Sequence, residues 1–202
     1  MEGAFEPDLS RWEAWDPDEA AERLAAVAAP WCVAAGWALD LFLGGQRRQH
    51  EDLEIAVPHM QFDEIAKALD GFDFFVPGYP TGLVSPMSPA ALEATHQTWI
   101  REPVTELWRL DVFREPSDGD TWICRRDERI SLPYSELIER TATGLPYARP
   151  EVVLLFKAKA ARPKDELDLD AVLPYLDGER RRWLAKALEL VLPGHAWLAR
   201  LH

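Results

Sequence analysis

The sequence has little cysteine and no long apolar run, and each shortage excludes a class of protein. Cys32 and Cys124 are the only cysteines among 202 residues. Two are too few for a disulfide framework, and these two lie too far apart for a zinc knuckle. No apolar run approaches the roughly 18 residues that would span a bilayer. We therefore expect a protein without disulfides, a structural zinc site or a membrane span.

Positive charge is also scarce, and this argues against nucleic acid as a substrate. The chain has 22 Lys and Arg against 35 Asp and Glu, so that its formal net charge is −13. A surface this negative repels a phosphate backbone and attracts a small cationic substrate or a cationic partner. The first eight residues are acidic and lack the apolar core of a signal peptide. The predicted partners are small molecules rather than nucleic acid or membrane, and the predicted location is the cytoplasm.

The remaining composition is that of an ordinary globular protein, with 48% hydrophobic and 28% charged residues. Short strands and helices are predicted up to about residue 145, including a helix capped by Asp16, and residues 77–90 are predicted to form a long loop. From residue 150 onward the periodicity is helical. The predicted fold class is α+β: a mixed β-sheet with flanking helices in residues 1–145, followed by a helical region in residues 146–202.

The strand predicted over residues 52–57 carries the first candidate for chemistry. Its apolar and polar side chains alternate, so that Asp52 and Glu54 project from the same face. Asp111, between two apolar residues of another predicted strand, is the candidate third carboxylate. Paired carboxylates on a rigid element are the ligands that Mg²⁺ takes when substrate phosphates complete its coordination. The alternative is that these are ordinary solvent-facing charges, since Asp-x-Glu occurs by chance in many proteins.

A glycine turn and a helix start precede these carboxylates. Gly36 follows a short apolar strand, and the helix predicted over residues 37–43 directs free backbone amides and a favourable dipole at a polyphosphate. Arg48 and His50 lie just before the acidic strand and can neutralise phosphate charge. Each residue also has a structural interpretation: a solvated arginine, a histidine that hydrogen-bonds its loop, and a glycine that only forms the turn.

Taken together, these residues resemble the signature of the nucleotidyltransferases of the DNA polymerase β superfamily, and most closely the small aminoglycoside and lincosamide adenylyltransferases. The matching segment reads Ala35-Gly36-Trp37-Ala38, Asp40, Gly44, Arg48, His50, Asp52 and Glu54. Beyond it the resemblance thins to Asp111 and to parts of the helical tail. Two positions depart from the family pattern. Ala35 replaces the usual glycine and would crowd the phosphate loop if its backbone needs a positive φ, whereas Glu54 replaces an aspartate and keeps the charge.

The resemblance implies transfer of a nucleoside monophosphate, in particular AMP, from a nucleoside triphosphate to an acceptor hydroxyl, with release of pyrophosphate. It implies that Asp52, Glu54 and Asp111 are the catalytic residues and bind Mg²⁺, with Asp111 also accepting the proton of the acceptor. The residues implied to bind ATP or another nucleoside triphosphate are Gly36, Trp37, Asp40, Arg48, His50 and Lys164. The resemblance also implies an aminoglycoside-like or lincosamide-like antibiotic as the acceptor, and the acidity of the chain fits a cationic acceptor such as an aminoglycoside.

Two other functions are open on the same fold, because a fold does not fix a function. The first is a non-catalytic nucleotide-binding or regulatory protein, which the departure at Ala35 favours. The second is an enzyme that adenylylates a partner protein as a component of a toxin–antitoxin pair. Such an enzyme would need an exposed docking surface, for which residues 77–90 are the candidate.

Overall fold

The structure is a computed structural model that describes residues 3–201 and contains both helices and strands. The helices are α1 (Pro17–Arg23), α2 (Ala35–Phe42), α3 (Phe62–Ala68), α4 (Pro89–Ala94), α5 (Tyr134–Leu137), α6 (Pro150–Ala158), α7 (Pro163–Val172) and α8 (Gly178–Val191). The strands are β1 (Cys32–Val33), β2 (Glu54–Pro58), β3 (Asp73–Pro77), β4 (Val84–Pro86), β5 (Gln97–Arg101), β6 (Trp108–Glu115), β7 (Ser117–Asp118), β8 (Thr121–Ile123), β9 (Ser131–Pro133), β10 (Ile138–Arg140) and β11 (Pro146–Ala148). The predicted α+β class is confirmed.

Contacts divide the chain into two compact units. The first contains the residues up to Val33 together with Gln49–Ser117, and the second contains Ala34–Arg48 together with the residues from Asp118 onward. Residues 34–48 group with the C-terminal helices because α2 packs against α6 and α7. This grouping differs from the predicted separation of residues 1–145 from 146–202, which stays a prediction about domains.

Six strands of the first unit pair in the order β1-β2-β6-β5-β3-β4. The pair β2–β6 is parallel, and the other four pairs are antiparallel, so that the sheet is mixed as predicted. The alternation that predicted β2 is confirmed, because Leu53, Ile55 and Val57 are completely buried. Leu110 and Val112 of β6 are completely buried as well.

Two helices of this unit, α1 and α4, begin at a residue whose side chain caps them. Asp16 accepts the N–H of Glu19 at 2.8 Å, and Pro17 occupies the first helical position, as predicted for α1. The same chemistry begins α4, where Ser88 accepts the N–H of Ala91 at 3.2 Å. The prediction of a loop over residues 77–90 was wrong in part, because β4 and the start of α4 fall there and β4 pairs with β3.

A buried arginine fixes the segment that leads into β5. The guanidinium of Arg114, in a residue that is 2% exposed, donates to Thr98 Oγ1 at 3.0 Å and to the carbonyl of Leu92 at 2.7 Å. It also donates to the carbonyls of Thr95 and Gln97. Burial lowers the pKa of this guanidinium from its ordinary value. One side chain of β6 therefore holds four points of the neighbouring segment.

The second unit is mostly helical, as predicted for the C-terminal part of the chain. Helix α6 is buried along almost its whole length and packs against α2, α7 and α8. The strands of the second unit were only partly predicted, because the hairpin of β10 and β11 has no apolar alternation that would indicate it. Within residues 3–201, no helix combines the length and the apolarity that crossing a membrane requires.

Candidate active site

The three carboxylates predicted to be catalytic lie on, or directly before, the two parallel strands of the first unit. Glu54 and Asp111 are register partners, and the N–H of Asp111 donates to the carbonyl of Leu53 at 2.9 Å. Register partners on neighbouring strands project from the same face of a sheet, so these two carboxylates stand side by side. Asp52 precedes β2 by two residues, with the buried Leu53 between Asp52 and Glu54, so that its place on the same face as the other two acids stays a prediction.

A hydrogen bond orients the carboxylate of Asp111. This residue is only 4% exposed, and its Oδ2 accepts a hydrogen bond of 2.7 Å from Nε2 of Gln97. Gln97 begins β5 and is the register partner of Phe113, so that it lies diagonally across from Asp111 on the same face. Sequence reasoning missed Gln97. The only available signal was a polar residue at the start of a predicted strand, and that signal does not identify its partner.

These carboxylates fit a magnesium ion as a small ligand set rather than as a closed cage. Mg²⁺ prefers oxygen ligands and is usually held by one or two carboxylates, with waters and substrate phosphates at its other positions. Glu54 and Asp111 supply such a pair. No group of three or more His, Cys, Asp or Glu side chains within residues 3–201 is arranged to hold a metal ion. The three-carboxylate site that includes Asp52 therefore stays a prediction.

Three of the residues predicted to bind nucleotide lie in the first turns of α2, in the second unit. Gly36 and Asp40 are buried, and Trp37 is half-buried. The helix begins two residues earlier than predicted, at Ala35, whose φ is +46°. Its N-cap residue, Ala34, makes no side-chain hydrogen bond to the first amides of the helix. The turn thus requires the backbone conformation that glycine adopts most readily, although this chain has alanine there.

Arg48 is also in the second unit, and an ion pair directs it onto α7. Its Nε lies 3.3 Å from Oδ1 of Asp168, and its Nη2 lies 3.4 Å from Oδ2 of the same carboxylate. Asp168 in turn lies 2.9 Å from Nζ of Lys157 on α6. Lys164 is exposed in the first turn of α7, one helical turn before Asp168. Sequence reasoning named Arg48 and Lys164 as candidates but did not find Asp168, the carboxylate that pairs with Arg48.

Asp165 completes this group of charges. It is fully buried, lies 3.5 Å from Nζ of Lys157, and accepts hydrogen bonds from both the backbone and the side chain of Arg162. Burial by itself would raise the pKa of Asp165. The hydrogen bonds from Arg162 and the charge of Lys157 outweigh that effect and hold the pKa below its ordinary value.

The predicted site residues therefore fall into two groups. The first unit contains Asp52, Glu54, Asp111 and the half-buried His50. The second unit contains Gly36, Trp37, Asp40, Arg48 and Lys164. Strand register brings Glu54 and Asp111 together, and the ion pair with Asp168 brings Arg48 to the helix that carries Lys164.

Comparison with known proteins supports the predicted resemblance. The family model described as aminoglycoside-2″-adenylyltransferase matches residues 19–77, which include the whole segment from Ala35 to Glu54. No curated protein matches the chain at a significant level. The family that this model describes consists of adenylyltransferases, which are nucleotidyltransferase enzymes.

Solved structures of antibiotic adenylyltransferases share the fold. The lincosamide adenylyltransferase LnuA, bound to lincomycin, superimposes with a TM-score of 0.54 and 15% identity over 77% of this chain and 92% of that chain. The crystal structure of ANT(2″)-Ia with adenylyl-2″-tobramycin has a TM-score of 0.55 and 14% identity over 85% of this chain and 97% of that chain. The solution structure of the antibiotic-resistance factor ANT(2″)-Ia has a TM-score of 0.53 and 17% identity over 84% of this chain and 89% of that chain. The chain therefore has the nucleotidyltransferase fold of the small antibiotic adenylyltransferases, as its sequence predicted.

Proposed function

We propose that this protein is a Mg²⁺-dependent nucleotidyltransferase that moves AMP from ATP to a hydroxyl group of a small cationic molecule. The observation that carries the proposal is the register of Glu54 and Asp111 on adjacent parallel strands. The family match over residues 19–77 supports the class of reaction. The structural relatives were solved with lincomycin and with an adenylylated tobramycin, which favours an aminoglycoside-like or lincosamide-like antibiotic as the acceptor.

In this proposal the carboxylates of the first unit have separate tasks. Asp52, Glu54 and Asp111 hold the ion, and Mg²⁺ when bound supplies charge neutralisation at the triphosphate. Asp111 also accepts the proton of the acceptor hydroxyl as it attacks. Gln97 holds one oxygen of Asp111 by its hydrogen bond of 2.7 Å, so that the carboxylate keeps a single orientation.

The residues proposed for the nucleotide are those of the second unit together with His50. Gly36 and Trp37 contribute backbone amides at the start of α2, where the helix dipole favours a phosphate. Arg48 and Lys164 contribute positive charge, while Asp40 and His50 contribute polar contacts. The negative net charge of the chain, −13, supports a small acceptor rather than a nucleic acid.

A second function, regulation by nucleotide binding without transfer, is favoured by one specific observation. Ala35 has a φ of +46°, a conformation that costs about 1–2 kcal/mol for a residue with a Cβ. A protein that only senses ATP tolerates an imperfect phosphate turn better than an enzyme does. This alternative predicts binding of ATP with no pyrophosphate release for any acceptor.

The test is a calorimetric titration of ATP into the protein with Mg²⁺ and with a chelator, repeated on Asp52→Asn. We expect binding that needs Mg²⁺ and is lost in the variant. Asp63→Asn is the matched control, because Asp63 is an exposed aspartate on α3 that pairs with Lys67. Pyrophosphate release is then measured with aminoglycosides and lincosamides. Failure to bind any of the four nucleoside triphosphates would exclude the transferase.

A further inference from the structure

We propose that Asp168 is a positioning residue that holds the guanidinium of Arg48 in the orientation in which it meets the triphosphate. The inference rests on the function proposed above, in which Arg48 binds phosphate, and it adds a residue that the sequence motif does not include. It concerns a continuous series of charges within the second unit. The charge chain, as we name it, consists of Arg48, Asp168, Lys157, Asp165 and Arg162.

Positive and negative side chains alternate along the charge chain. Asp168 touches a cation on each side, since Arg48 lies at 3.3 Å and Lys157 at 2.9 Å. Lys157 lies between Asp168 and Asp165, and Asp165 is bonded at 2.9 Å to Arg162, the N-cap residue of α7. The chain therefore begins and ends with an arginine, and each of its inner members is opposed by charges of the other sign.

Burial distinguishes the middle of the charge chain from its ends. The side chains of Lys157, Asp168 and Asp165 are 9%, 11% and 0% exposed, whereas those of Arg48 and Arg162 are 27% and 55% exposed. Separating the partners of a buried ion pair costs more free energy than separating those of an exposed pair, because a buried charge is left uncompensated. Asp168 is thus anchored from within by Lys157, and its position is set before it meets Arg48.

The contact between Asp168 and Arg48 fixes the orientation of the guanidinium of Arg48. Asp168 receives Nε and Nη2 on its two oxygens, so that the pairing is side-on and the plane of the guanidinium is defined. A free arginine side chain has about 2 kcal/mol of rotamer entropy to lose when it binds an anion. Asp168 removes much of that freedom in advance, so that triphosphate binding does not have to supply it.

The experiment compares ATP binding by Asp168→Asn with binding by the unaltered chain, by calorimetry with Mg²⁺ present. We expect affinity to fall about tenfold, which is the effect of losing one hydrogen-bonded charge, with kcat changing far less than KM for ATP. Asp170→Asn is the matched control. Asp170 lies on the same helix and also pairs with an arginine, Arg200, but its side chain is 62% exposed. The control should bind ATP as the unaltered chain does.

A double-mutant cycle tests whether Asp168 acts through Arg48. In an Arg48→Gln background, Asp168→Asn should cause no further loss of ATP affinity. An equal loss in both backgrounds, or wild-type affinity in a folded Asp168→Asn variant, would overturn the inference. A role in stability alone would lower the melting temperature and leave KM unchanged, which is also contrary to it.

A second variant covers the case in which Asp168→Asn does not fold. Arg48→Lys keeps the charge but cannot make the two-point contact with Asp168. We expect it to bind ATP more weakly than the unaltered chain but more tightly than Arg48→Gln, whereas wild-type affinity would show that charge alone matters and would refute the positioning role. Failure of the unaltered chain to bind ATP would instead refute the proposed function, so the two failures are distinguishable.

Discussion

The two units of this protein arrange their charged residues in opposite ways. In the first unit, backbone register sets two carboxylates, Glu54 and Asp111, side by side on neighbouring strands. In the second unit, side chains of opposite sign alternate along the charge chain. Like charges directly opposite each other destabilise a sheet, whereas alternating charges stabilise one another. The first arrangement is therefore suited to a positively charged ligand, whereas the second compensates its inner charges in pairs and ends in Arg48, the cation that the proposed function assigns to phosphate.

The largest effect is expected where the like charges meet. Asp111→Asn should lower kcat by roughly 10²–10⁴-fold, because it removes the proposed proton acceptor and a proposed metal ligand. The melting temperature should stay the same or rise, since one of two adjacent negative charges is lost. Steady-state kinetics and thermal denaturation measure both. Asp73→Asn, a change to a half-exposed aspartate of β3 that pairs with Arg101, is the control and should keep activity. Full activity in Asp111→Asn would show that the pairing of Glu54 with Asp111 does not serve catalysis.

The charge chain should give the opposite result, a loss of stability. Asp165→Asn should lower the free energy of unfolding by about 3 kcal/mol, because Lys157 and Arg162 would lose a buried partner. The pKa of Asp165 lies below its ordinary value of 3.8 in the folded protein. Its contribution to stability is therefore complete above pH 3.8 and is lost as the pH falls through the lower, folded value.

Urea denaturation at a series of pH values checks this second prediction. The unaltered chain should lose more stability than Asp165→Asn as the solution is acidified below pH 3.8. Asp170→Asn, at an exposed position of the same helix, should keep the acid dependence of the unaltered chain. Identical acid limbs for Asp165→Asn and the unaltered chain would contradict the assigned direction of the pKa.

A smaller effect is expected at Gln97. Gln97→Met keeps the length of the side chain and removes the donor to Asp111, so that kcat should fall about tenfold while KM for ATP stays nearly constant. Gln61→Met is the control, because Gln61 lies in a 3-10 turn before α3 and should leave the kinetics unchanged. An unchanged kcat in Gln97→Met would mean that strand register alone orients Asp111.

The smallest effect is expected at the first turn of α2. Ala35→Gly should raise the free energy of unfolding by about 0.5–1 kcal/mol. Glycine adopts a φ of +46° without strain, and its larger loss of backbone entropy on folding offsets only part of that gain. Ala38→Gly, at a buried position inside the same helix, should instead lower it by about 1 kcal/mol. Urea denaturation separates the two. A loss of stability in Ala35→Gly would show that the methyl group of Ala35 makes contacts worth more than the strain.

The sequence predicted those features that depend on short-range patterns. Alternation predicted β2, and capping chemistry predicted the start of α1. The contact of Gln97 with Asp111 joins residues 14 positions apart, and that of Arg48 with Asp168 joins residues 120 positions apart. No local period encodes such pairs, because each depends on which strands or helices become neighbours.

Arg114 has a practical consequence for redesign of this protein. Its guanidinium holds backbone carbonyls of Leu92, Thr95 and Gln97 and the hydroxyl of Thr98, all within the stretch from residue 92 to the first two residues of β5. A graft that replaces this stretch while keeping β6 would leave a buried cation facing a foreign backbone. Chimaeras made to change acceptor preference should therefore exchange residues 92–115 as one block, with their crossover points outside it.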